Sequence, residues 1–312
     1  MKFGYYLYDI YMSEKRQLAI LWISTLSVVA AIFFPVRQNL SEQAPVVSGV
    51  ISSLPVVEEP IPKRIGEGDN LDLEAPIALA IDLNSQKILF EKNIDEFWHP
   101  ASLTKLMTAI VVLNTVSFDE VVEIEAVDTD VAQPKMGLVI GERVTVETLL
   151  KGMLIASAND AANTLARVVT GSPERFVDLM NLMGKQLQLN NTRFKNTTGF
   201  DSDGQLTTAW DLKTLVFEFL KNEKLASIVQ IDSTVVQSVD GGRRHWLTSS
   251  NKLVTRENIL GVKTGFTEEA LGNLIILAQD HGNQILTVVL GSNNREAETL
   301  KLIDWVFSNY TF

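Results

Sequence analysis

Beyond residue 72, the order of apolar and polar positions predicts strands first, then helices, then strands again. Two apolar-rich runs, residues 75–82 and 87–93, flank a polar turn and predict a β-hairpin. Short turns join three more apolar runs near the C-terminus, which predict strands at residues 259–266, 274–278 and 284–290.

Between and after these strands, apolar residues recur at the spacing of an α-helix. The predicted helices cover residues 103–116, 144–155, 160–169, 176–189, 209–220 and 295–307. Strands contributed by both ends of the segment, with helices inserted between them, predict an α+β domain built on one sheet.

The N-terminal segment is apolar enough to cross a membrane. Residues 18–36 carry no charged side chain and match the length that spans a bilayer core. Lys15 and Arg16 precede the run, a bias that keeps the N-terminus inside and places the rest outside. We expect a retained transmembrane helix rather than a cleaved signal peptide, because the run is long and residues 37–43 lack a small-x-small site. A buried core helix fits less well, since the run has no polar face.

Residues 38–72 are polar and contain repeated prolines, which predicts an extended linker, although residues 46–57 could form a short strand. The expected organisation is a cytoplasmic stub and membrane segment at residues 1–37, an extracytoplasmic linker at 38–72 and a folded domain at 73–312. The protein would then be a single-pass plasma-membrane protein, or a secreted one if the leader is cut.

Composition excludes several kinds of chemistry. The net charge of −11 and the absence of a basic run in the body argue against a nucleic-acid partner. There is no cysteine, so thiolate catalysis and disulfides are excluded. The three histidines are scattered and form no HExxH pair, which disfavours a metal hydrolase. We therefore expect neither a metal nor another cofactor.

Three short motifs supply the groups needed for acyl transfer without histidine or metal. They are Ser102-Leu103-Thr104-Lys105, Ser157-Ala158-Asn159 and Lys263-Thr264-Gly265. The first two patterns recur at Ser249, and Ser-x-Asn recurs again at Ser292, whereas Lys-Thr-Gly occurs once. Order, spacing and structural setting must therefore choose among the matches.

The first motif lies where the chain enters a predicted helix. Pro100 fits a loop before the helix, so Ser102 falls in or near the first turn, and Lys105 follows on the same face. Free backbone N–H groups and the positive end of the dipole at a helix start stabilise an oxyanion. The alternative is that Ser102 only caps the helix. Ser249 lacks this setting, because a polar segment follows it.

The other two motifs also admit structural readings. Ser157 and Asn159 lie between two predicted helices and could cap the second one. Lys263 lies in an apolar strand, where a buried cation requires a partner such as an anionic ligand. The alternative is an edge strand with Lys263 in solvent. Gly265 lacks a side chain and allows another backbone to approach.

With these motifs the chain resembles the D-alanyl-D-alanine carboxypeptidases, which are low-molecular-mass penicillin-binding proteins of the serine β-lactamase-like superfamily. The resemblance covers roughly residues 75–305 and includes residues 199–211 and 295–298. It implies an antiparallel sheet flanked by helices, with a helical subdomain and an active site between that subdomain and the sheet edge.

The resemblance also implies the roles of individual residues. Ser102 would be the nucleophile, Lys105 the base, and Ser157 a proton relay to the leaving amine. The N–H groups of Ser102 and Phe266 would form the oxyanion hole. The implied substrate-binding residues are Asn159, Lys263, Thr264, Gly265, Phe266, Thr267 and Arg295. Three residues differ from those frequent in the family, namely Ala158, Thr198 and Phe266, and they bear on substrate preference rather than on the core chemistry.

The expected activity is removal of the terminal D-alanine from peptidoglycan stem peptides through an acyl-enzyme, with β-lactam antibiotics as covalent inhibitors. Three alternatives stay open: a DD-endopeptidase of the same family, a class A-like β-lactamase, and a catalytically inactive peptidoglycan-binding protein. The lactamase reading lacks support because the chain contains no Glu-x-x-Leu-Asn loop for the deacylating glutamate.

Overall fold

A computed structural model describes residues 61–65 and 71–312 of the chain. The predicted membrane segment and most of the predicted linker lie outside the described residues. Among the described residues, no helix is both long and apolar enough to cross a bilayer.

The described residues form short and long strands interleaved with helices. The strands are β1 Lys63–Arg64, β2 Ile77–Asp82, β3 Ile88–Lys92, β4 Val121–Glu123, β5 Arg143–Thr145, β6 Ser233–Gln237, β7 Arg244–Thr248, β8 Ile259–Thr267, β9 Leu271–Asp280, β10 Asn283–Ser292 and β11 Tyr310–Thr311. The helices are α1 Thr104–Leu113, α2 Ala126–Thr129, α3 Val146–Ile155, α4 Asn159–Thr170, α5 Pro173–Gln186, α6 Ala209–Leu220, α7 Glu223–Ile228 and α8 Arg295–Asn309, and a 3₁₀ turn, Ala101–Leu103, precedes α1.

The main sheet has the order β3-β2-β10-β9-β8, and every neighbouring pair is antiparallel. The N-terminal hairpin thus joins the three C-terminal strands, as the hydrophobic pattern predicts. The strands β2, β9 and β10 are buried along almost their whole length, because helices cover both faces of the sheet. Strand β8 forms one edge of the sheet and carries the Lys263-Thr264-Gly265 motif.

Two apolar cores lie on opposite faces of this sheet. The larger core packs the helical segment, including Leu106 of α1 and Leu149 of α3, against side chains such as Ile275 of β9. The smaller core packs the closing helix α8, through Leu302 and Val306, against the other face. The helices predicted from apolar periodicity are all present, with ends that differ by a few residues.

Sequence periodicity missed the short paired strands. These are β1 with β11, β4 with β5, and β6 with β7. The first pair is two residues long, and Lys63 and Arg64 fall within the segment predicted to be a linker. The β6–β7 hairpin matters for the site, because the chain leaves β7 directly into Ser249 and Ser250.

Candidate active site

Ser102 lies in the 3₁₀ turn that leads into α1, one residue after Ala101 in a left-handed conformation with φ +47°. This setting differs slightly from the predicted first turn of an α-helix, but it leaves the serine half-buried at the helix start. Asn273 on β9 fixes the approach to this turn. Its Nδ2 donates to the carbonyl oxygens of His99, at 2.9 Å, and Pro100, at 3.2 Å.

Lys105 places its ammonium nitrogen next to the serine hydroxyl. Its Nζ lies 2.9 Å from Ser102 Oγ and donates to Thr198 O at 2.7 Å. The side chain is completely buried, although the residue is a lysine. Burial and, secondarily, the positive charge of Lys263 lower the pKa of Lys105 well below its ordinary value. A neutral amine beside a hydroxyl is a general base in position to deprotonate it.

Ser157 and Lys263 form a second pair of the same kind. Ser157 lies between α3 and α4 with φ +58°, and its Oγ lies 3.0 Å from Lys263 Nζ. Lys263 also donates to Thr264 O at 3.2 Å. Its side chain is 1% exposed, so the alternative of a solvent-facing lysine is wrong even though β8 is an edge strand. Burial and the charge of Arg295 lower the pKa of Lys263 to about 7.

Asn159 is the first residue of α4 and does not cap it, since Ala158 occupies the cap position and no side-chain capping bond forms. Its Nδ2 donates to Ala132 O at 3.1 Å. Within the described part of the chain, its Oδ1 is buried without a hydrogen-bond partner. A buried polar atom in this state calls for an explanation, and an incoming ligand N–H is one.

Strand β8 runs directly beside the turn that holds Ser102. A Cβ atom placed on Gly265 would lie 3.0 Å from Ala101 Cβ and 3.2 Å from Ser102 N, so the close approach predicted for this glycine is present. Thr264 Oγ1 shares a 2.7 Å hydrogen bond with Ser250 Oγ. Ser250 lies within the second match to the Ser-x-x-Lys pattern, residues 249–252. It nevertheless contacts the site from the end of β7. No sequence motif indicated this contact.

The remaining predicted residues lie farther along β8 and at the start of α8. Arg295 Nη1 donates to Gly265 O at 2.7 Å, and its Nε lies 3.1 Å from Glu296 Oε1. Two N–H groups of the Arg295 guanidinium therefore already have partners within the protein. Thr267 Oγ1 donates to Asp201 Oδ1 at 2.6 Å. Phe266, between Gly265 and Thr267 on β8, has a side chain that is 59% exposed.

Loop 196–200 contacts both Lys105 and the turn that carries Ser102. Asn196 Oδ1 accepts the backbone N–H of Gly199 at 2.7 Å, which holds the loop so that Thr198 O faces Lys105. Gly199 has φ +93°, and a Cβ atom there would lie 1.8 Å from Ala101 O. Glycine is required at this position by both its conformation and the contact.

One group in the described part of the chain brings together side chains that could bind a metal. His99, Asp201 and Glu269 have ligand atoms within 4.8 Å of one another, beside Thr267. Asp201 and Glu269 are exposed, and His99 Nδ1 lies 3.5 Å from Glu269 Oε2. Such an arrangement of surface carboxylates near a histidine needs no ion to explain it.

The site therefore combines a serine, a buried lysine with a lowered pKa, a second serine–lysine pair and a strand edge, and these groups can carry out serine acyl transfer. The fold that holds them is the DD-peptidase fold of the β-lactamase-like type. The structure aligns with the Streptomyces K15 DD-transpeptidase with a TM-score of 0.73 and 26% identity, covering 77% of this chain and 100% of that one.

Sequence comparison identifies the family. The model for D-alanyl-D-alanine carboxypeptidase, peptidase S11, matches residues 64–294, and the chain belongs to this family. It is 34% identical over 247 residues to the D-alanyl-D-alanine carboxypeptidase DacF of Bacillus subtilis, covering 76% of this chain and 63% of that protein. It is 35% identical over 257 residues to DacC of Escherichia coli, covering 77% and 62%. The chain thus spans less than two thirds of the length of these relatives.

Proposed function

We propose that the protein is a serine-type D-Ala-D-Ala carboxypeptidase that removes the terminal D-alanine from peptidoglycan stem peptides. The observation that carries this proposal is the 2.9 Å contact between Ser102 Oγ and the completely buried Nζ of Lys105. Membership of the S11 family and the names of the similar proteins supply the substrate class.

In the first half-reaction, neutral Lys105 takes the proton of Ser102 as Oγ attacks the carbonyl carbon of the penultimate D-alanine. The N–H groups of Ser102 and Phe266 bind the oxyanion. The C–N bond then breaks, and the proton passes through Lys105 and Ser157 to the amine of the departing D-alanine.

In the second half-reaction, water gives a proton to Lys105 and attacks the ester carbonyl of the acyl-enzyme. The C–Oγ bond breaks, the proton returns to Ser102 Oγ, and the shortened peptide leaves. Throughout, Asn159 binds the substrate backbone, and the charges of Lys263 and Arg295, with the hydroxyls of Thr264 and Thr267, hold the terminal carboxylate. Gly265 permits the strand edge to lie against the reacting bond. To bind the carboxylate, the Thr267 hydroxyl must exchange its hydrogen bond to Asp201 for one to the substrate.

Incubation with a pentapeptide stem tests the proposal, with free D-alanine as the readout. Release by the wild-type chain and none by Ser102→Ala is the expected result. A β-lactam should form a long-lived adduct on Ser102, visible as a mass shift. Rapid turnover of penicillin would favour the lactamase alternative. Cleavage of cross-linked dimers without D-alanine release would favour the endopeptidase, and stoichiometric peptide binding without release an inactive binding protein.

We also propose that residues 18–36 anchor the protein in the plasma membrane, with residues 38–72 as a linker and residues 73–312 outside the cytoplasm. The uncharged run and the preceding Lys15 and Arg16 support this arrangement. Fractionation of cells expressing the full chain tests it. Recovery of a chain shortened at its N-terminus from the medium would show that the leader is cleaved.

A further inference from the structure

Loop 132–142 contains no helix or strand and contacts the start of α4, where Asn159 lies. Two carbonyl oxygens of the loop hold this residue. Ala132 O accepts a hydrogen bond from Asn159 Nδ2 at 3.1 Å, and Pro134 O accepts one from the Asn159 backbone N–H at 2.7 Å. Because the loop occupies Nδ2, Oδ1, which has no partner among the described residues, is the end of the amide left for a substrate. The position of the loop therefore sets how Asn159 faces the site.

The middle of this loop is held at Met136. Asp160, which follows Asn159 on α4, accepts three backbone N–H groups: Oδ1 binds that of Met136 at 3.0 Å, and Oδ2 binds those of Gly137 at 3.0 Å and Leu138 at 3.2 Å. The Met136 side chain lies against α3, where Gly152 has no side chain to obstruct it. The carbonyl oxygen of Met136 is then the backbone group that needs a donor from elsewhere in the fold.

His245 on strand β7 contacts that carbonyl oxygen. The residue is 6% exposed, and its Nδ1 lies 3.1 Å from Met136 O while its Nε2 lies 2.6 Å from Glu142 Oε1. Glu142, at the other end of the loop, is also buried, and its Oε2 accepts the Val139 N–H at 3.1 Å. One imidazole ring thus joins two separate points of loop 132–142 to β7.

The hydrogen-bond partners determine how this ring is protonated. A carbonyl oxygen is only an acceptor, so Nδ1 must carry a proton to bond to Met136 O. The contact between Nε2 and Glu142 then holds a second proton, either on the ring as an imidazolium or on the carboxyl group as a neutral acid. In both arrangements His245 donates to Met136 O, and the buried polar groups are satisfied.

We propose that His245 is a positioning residue for acyl transfer. Together with Glu142 it holds Met136, and it thereby keeps loop 132–142 in the position from which the loop orients the Asn159 amide toward the substrate. The inference rests on the proposed function for the roles of Ser102 and Asn159. His245 lies outside the three sequence motifs and acts through the loop, since its ring nitrogens contact Met136 O and Glu142.

Two variants of the full chain separate the hydrogen bonds from burial. His245→Phe keeps a buried ring but leaves Met136 O without its donor. We expect it to raise the concentration of a fluorescent acylamino-penicillin at half-maximal acylation rate about five- to tenfold, as for one lost hydrogen bond. The maximal acylation rate should stay close to that of the wild type, because Ser102 and Lys105 are not disturbed.

Glu142→Gln is the conservative variant and should behave like the wild type. The new amide nitrogen can donate to Nε2 of a neutral ring, the amide oxygen can still accept the Val139 N–H, and Nδ1 can still donate to Met136 O. A defect in Glu142→Gln as large as that in His245→Phe would overturn the proposed hydrogen-bond pattern.

A double-mutant cycle tests whether His245 acts through Asn159. The effect of His245→Phe on half-saturation should disappear in an Asn159→Ala background, because the amide that the loop orients is then absent. Asn181→Ala is the control for stability alone. It loses buried bonds to Val177 O and to both backbone groups of Phe194, and it should destabilise the fold without changing half-saturation.

All rates are measured below the unfolding temperature of each variant. Unchanged half-saturation in His245→Phe, or the same defect with and without the Asn159 amide, would overturn the positioning role. If His245→Phe does not fold, ¹⁵N NMR of histidine-labelled wild-type protein supplies the test, with the signals of His99 and His281 assigned through their glutamine variants. Nδ1 of His245 should show a one-bond coupling to hydrogen, and an unprotonated Nδ1 would overturn the proposal.

Penicillin acylation keeps this test separate from the proposed reaction. It reports on Ser102 and Asn159 whether or not peptides are hydrolysed. Acylation that depends on His245, without release of D-alanine from a pentapeptide stem, would overturn the carboxypeptidase proposal and keep the positioning role. Release of D-alanine with unchanged kinetics in His245→Phe would do the reverse.

Discussion

Lys105 Nζ lies 2.9 Å from Ser102 Oγ and 2.7 Å from Thr198 O, in a position from which solvent is completely excluded. The hydrogen bonds satisfy the nitrogen as a neutral amine, whereas an ammonium there would be desolvated and would face the charge of Lys263. Desolvation and the nearby charge of Lys263 both favour loss of the proton. The contact therefore favours a neutral amine, which can act as a base without histidine.

Substitution of Lys105 by arginine should abolish acylation, because a guanidinium keeps its proton. We expect the rate of labelling by a fluorescent penicillin to fall by at least about 10³-fold, in the range of a lost general base. Lys92→Arg is the control, since among the described residues Lys92 Nζ donates to a backbone carbonyl, Leu73 O, from the opposite edge strand β3. Labelling of Lys105→Arg at the wild-type rate would remove Lys105 from the mechanism.

The pH dependence of kcat/KM should be bell-shaped. Activity should rise with pH as Lys105 loses its proton, and fall again with an apparent pKa of about 7 as Lys263 loses the charge that we propose binds the substrate carboxylate. Because a bound carboxylate favours protonated Lys263, the alkaline limb of kcat should lie at higher pH than that of kcat/KM. Because the charge of Lys263 lowers the pKa of Lys105, the two limbs of the pH profile report the two lysines as a pair.

Lys263→Arg checks this assignment, since arginine does not titrate in the accessible range. If the variant retains measurable turnover, its alkaline limb should be absent. An unchanged alkaline limb in Lys263→Arg would assign that limb to another group.

Replacement of Lys263 by methionine should stabilise the fold at low pH while it impairs activity. The folded-state pKa of about 7 lies below the value of about 10.4 expected in the unfolded chain. Burial of the charged form therefore destabilises the wild type below pH 7, and this penalty disappears as pH rises toward 10.4. The difference in unfolding free energy should be a few kcal/mol, on the order of one shift of this size. Urea unfolding at pH 6, 8 and 10 measures it, and a difference independent of pH would contradict the linkage.

Gly199→Ala should damage both the fold and the site. The residue has φ +93°, and an added Cβ would meet Ala101 O at 1.8 Å, which forces apart the loop and the turn that carries Ser102. We expect a loss of at least about 3 kcal/mol in unfolding free energy and slower penicillin acylation. Gly204→Ala is the matched control, because Gly204 also has positive φ, +74°, but its nearest contact would be Lys195 Cε at 3.6 Å.

Gly204→Ala should lower the free energy of unfolding by only about 1 kcal/mol, the strain of a left-handed alanine. Its rate of penicillin acylation should stay that of the wild type. Equal effects of the two substitutions would show that the contact with Ala101 does not matter.

Asn273→Ala should slow acylation although Asn273 touches neither reacting group. Its Nδ2 holds the carbonyls of His99 and Pro100, and its Oδ1 accepts Gly291 N–H at 3.0 Å. Loss of these buried bonds should destabilise the fold by about 2–3 kcal/mol and loosen the turn before Ser102. A rate defect measured well below the unfolding temperature identifies a positioning role.

Asn181→Ala separates positioning from stability alone. Asn181 also bridges two segments, through Val177 O and both backbone groups of Phe194, but far along the chain from the nucleophile. We expect a comparable loss of stability and an unchanged acylation rate. An equal rate defect in both variants would indicate that Asn273 acts only through global stability.

Particular residues show how far the sequence predicts the site. The motif spacing and the helix start after Pro100 selected Ser102 over Ser249, and the structure brings Ser102, Lys105, Ser157 and Lys263 together. Asn273 and Ser250 carried no signal, because a single polar residue in an apolar strand or a polar loop has many structural uses. Their roles depend on contacts across 174 and 14 residues of chain.

The sequence by itself determined the strand–helix–strand order, the apolar faces and the choice of Ser102 as the proposed nucleophile, because these follow from local periodicity and from residue chemistry. Only the tertiary structure decided that Lys263 points inward from an edge strand, that Gly199 lies against Ala101, and that His245 contacts loop 132–142. These features depend on which distant segments meet, and that is set by packing around the sheet rather than by any local pattern. The lowered pKa of Lys105 and of Lys263 likewise depends on the tertiary structure, since burial is a property of the assembled fold.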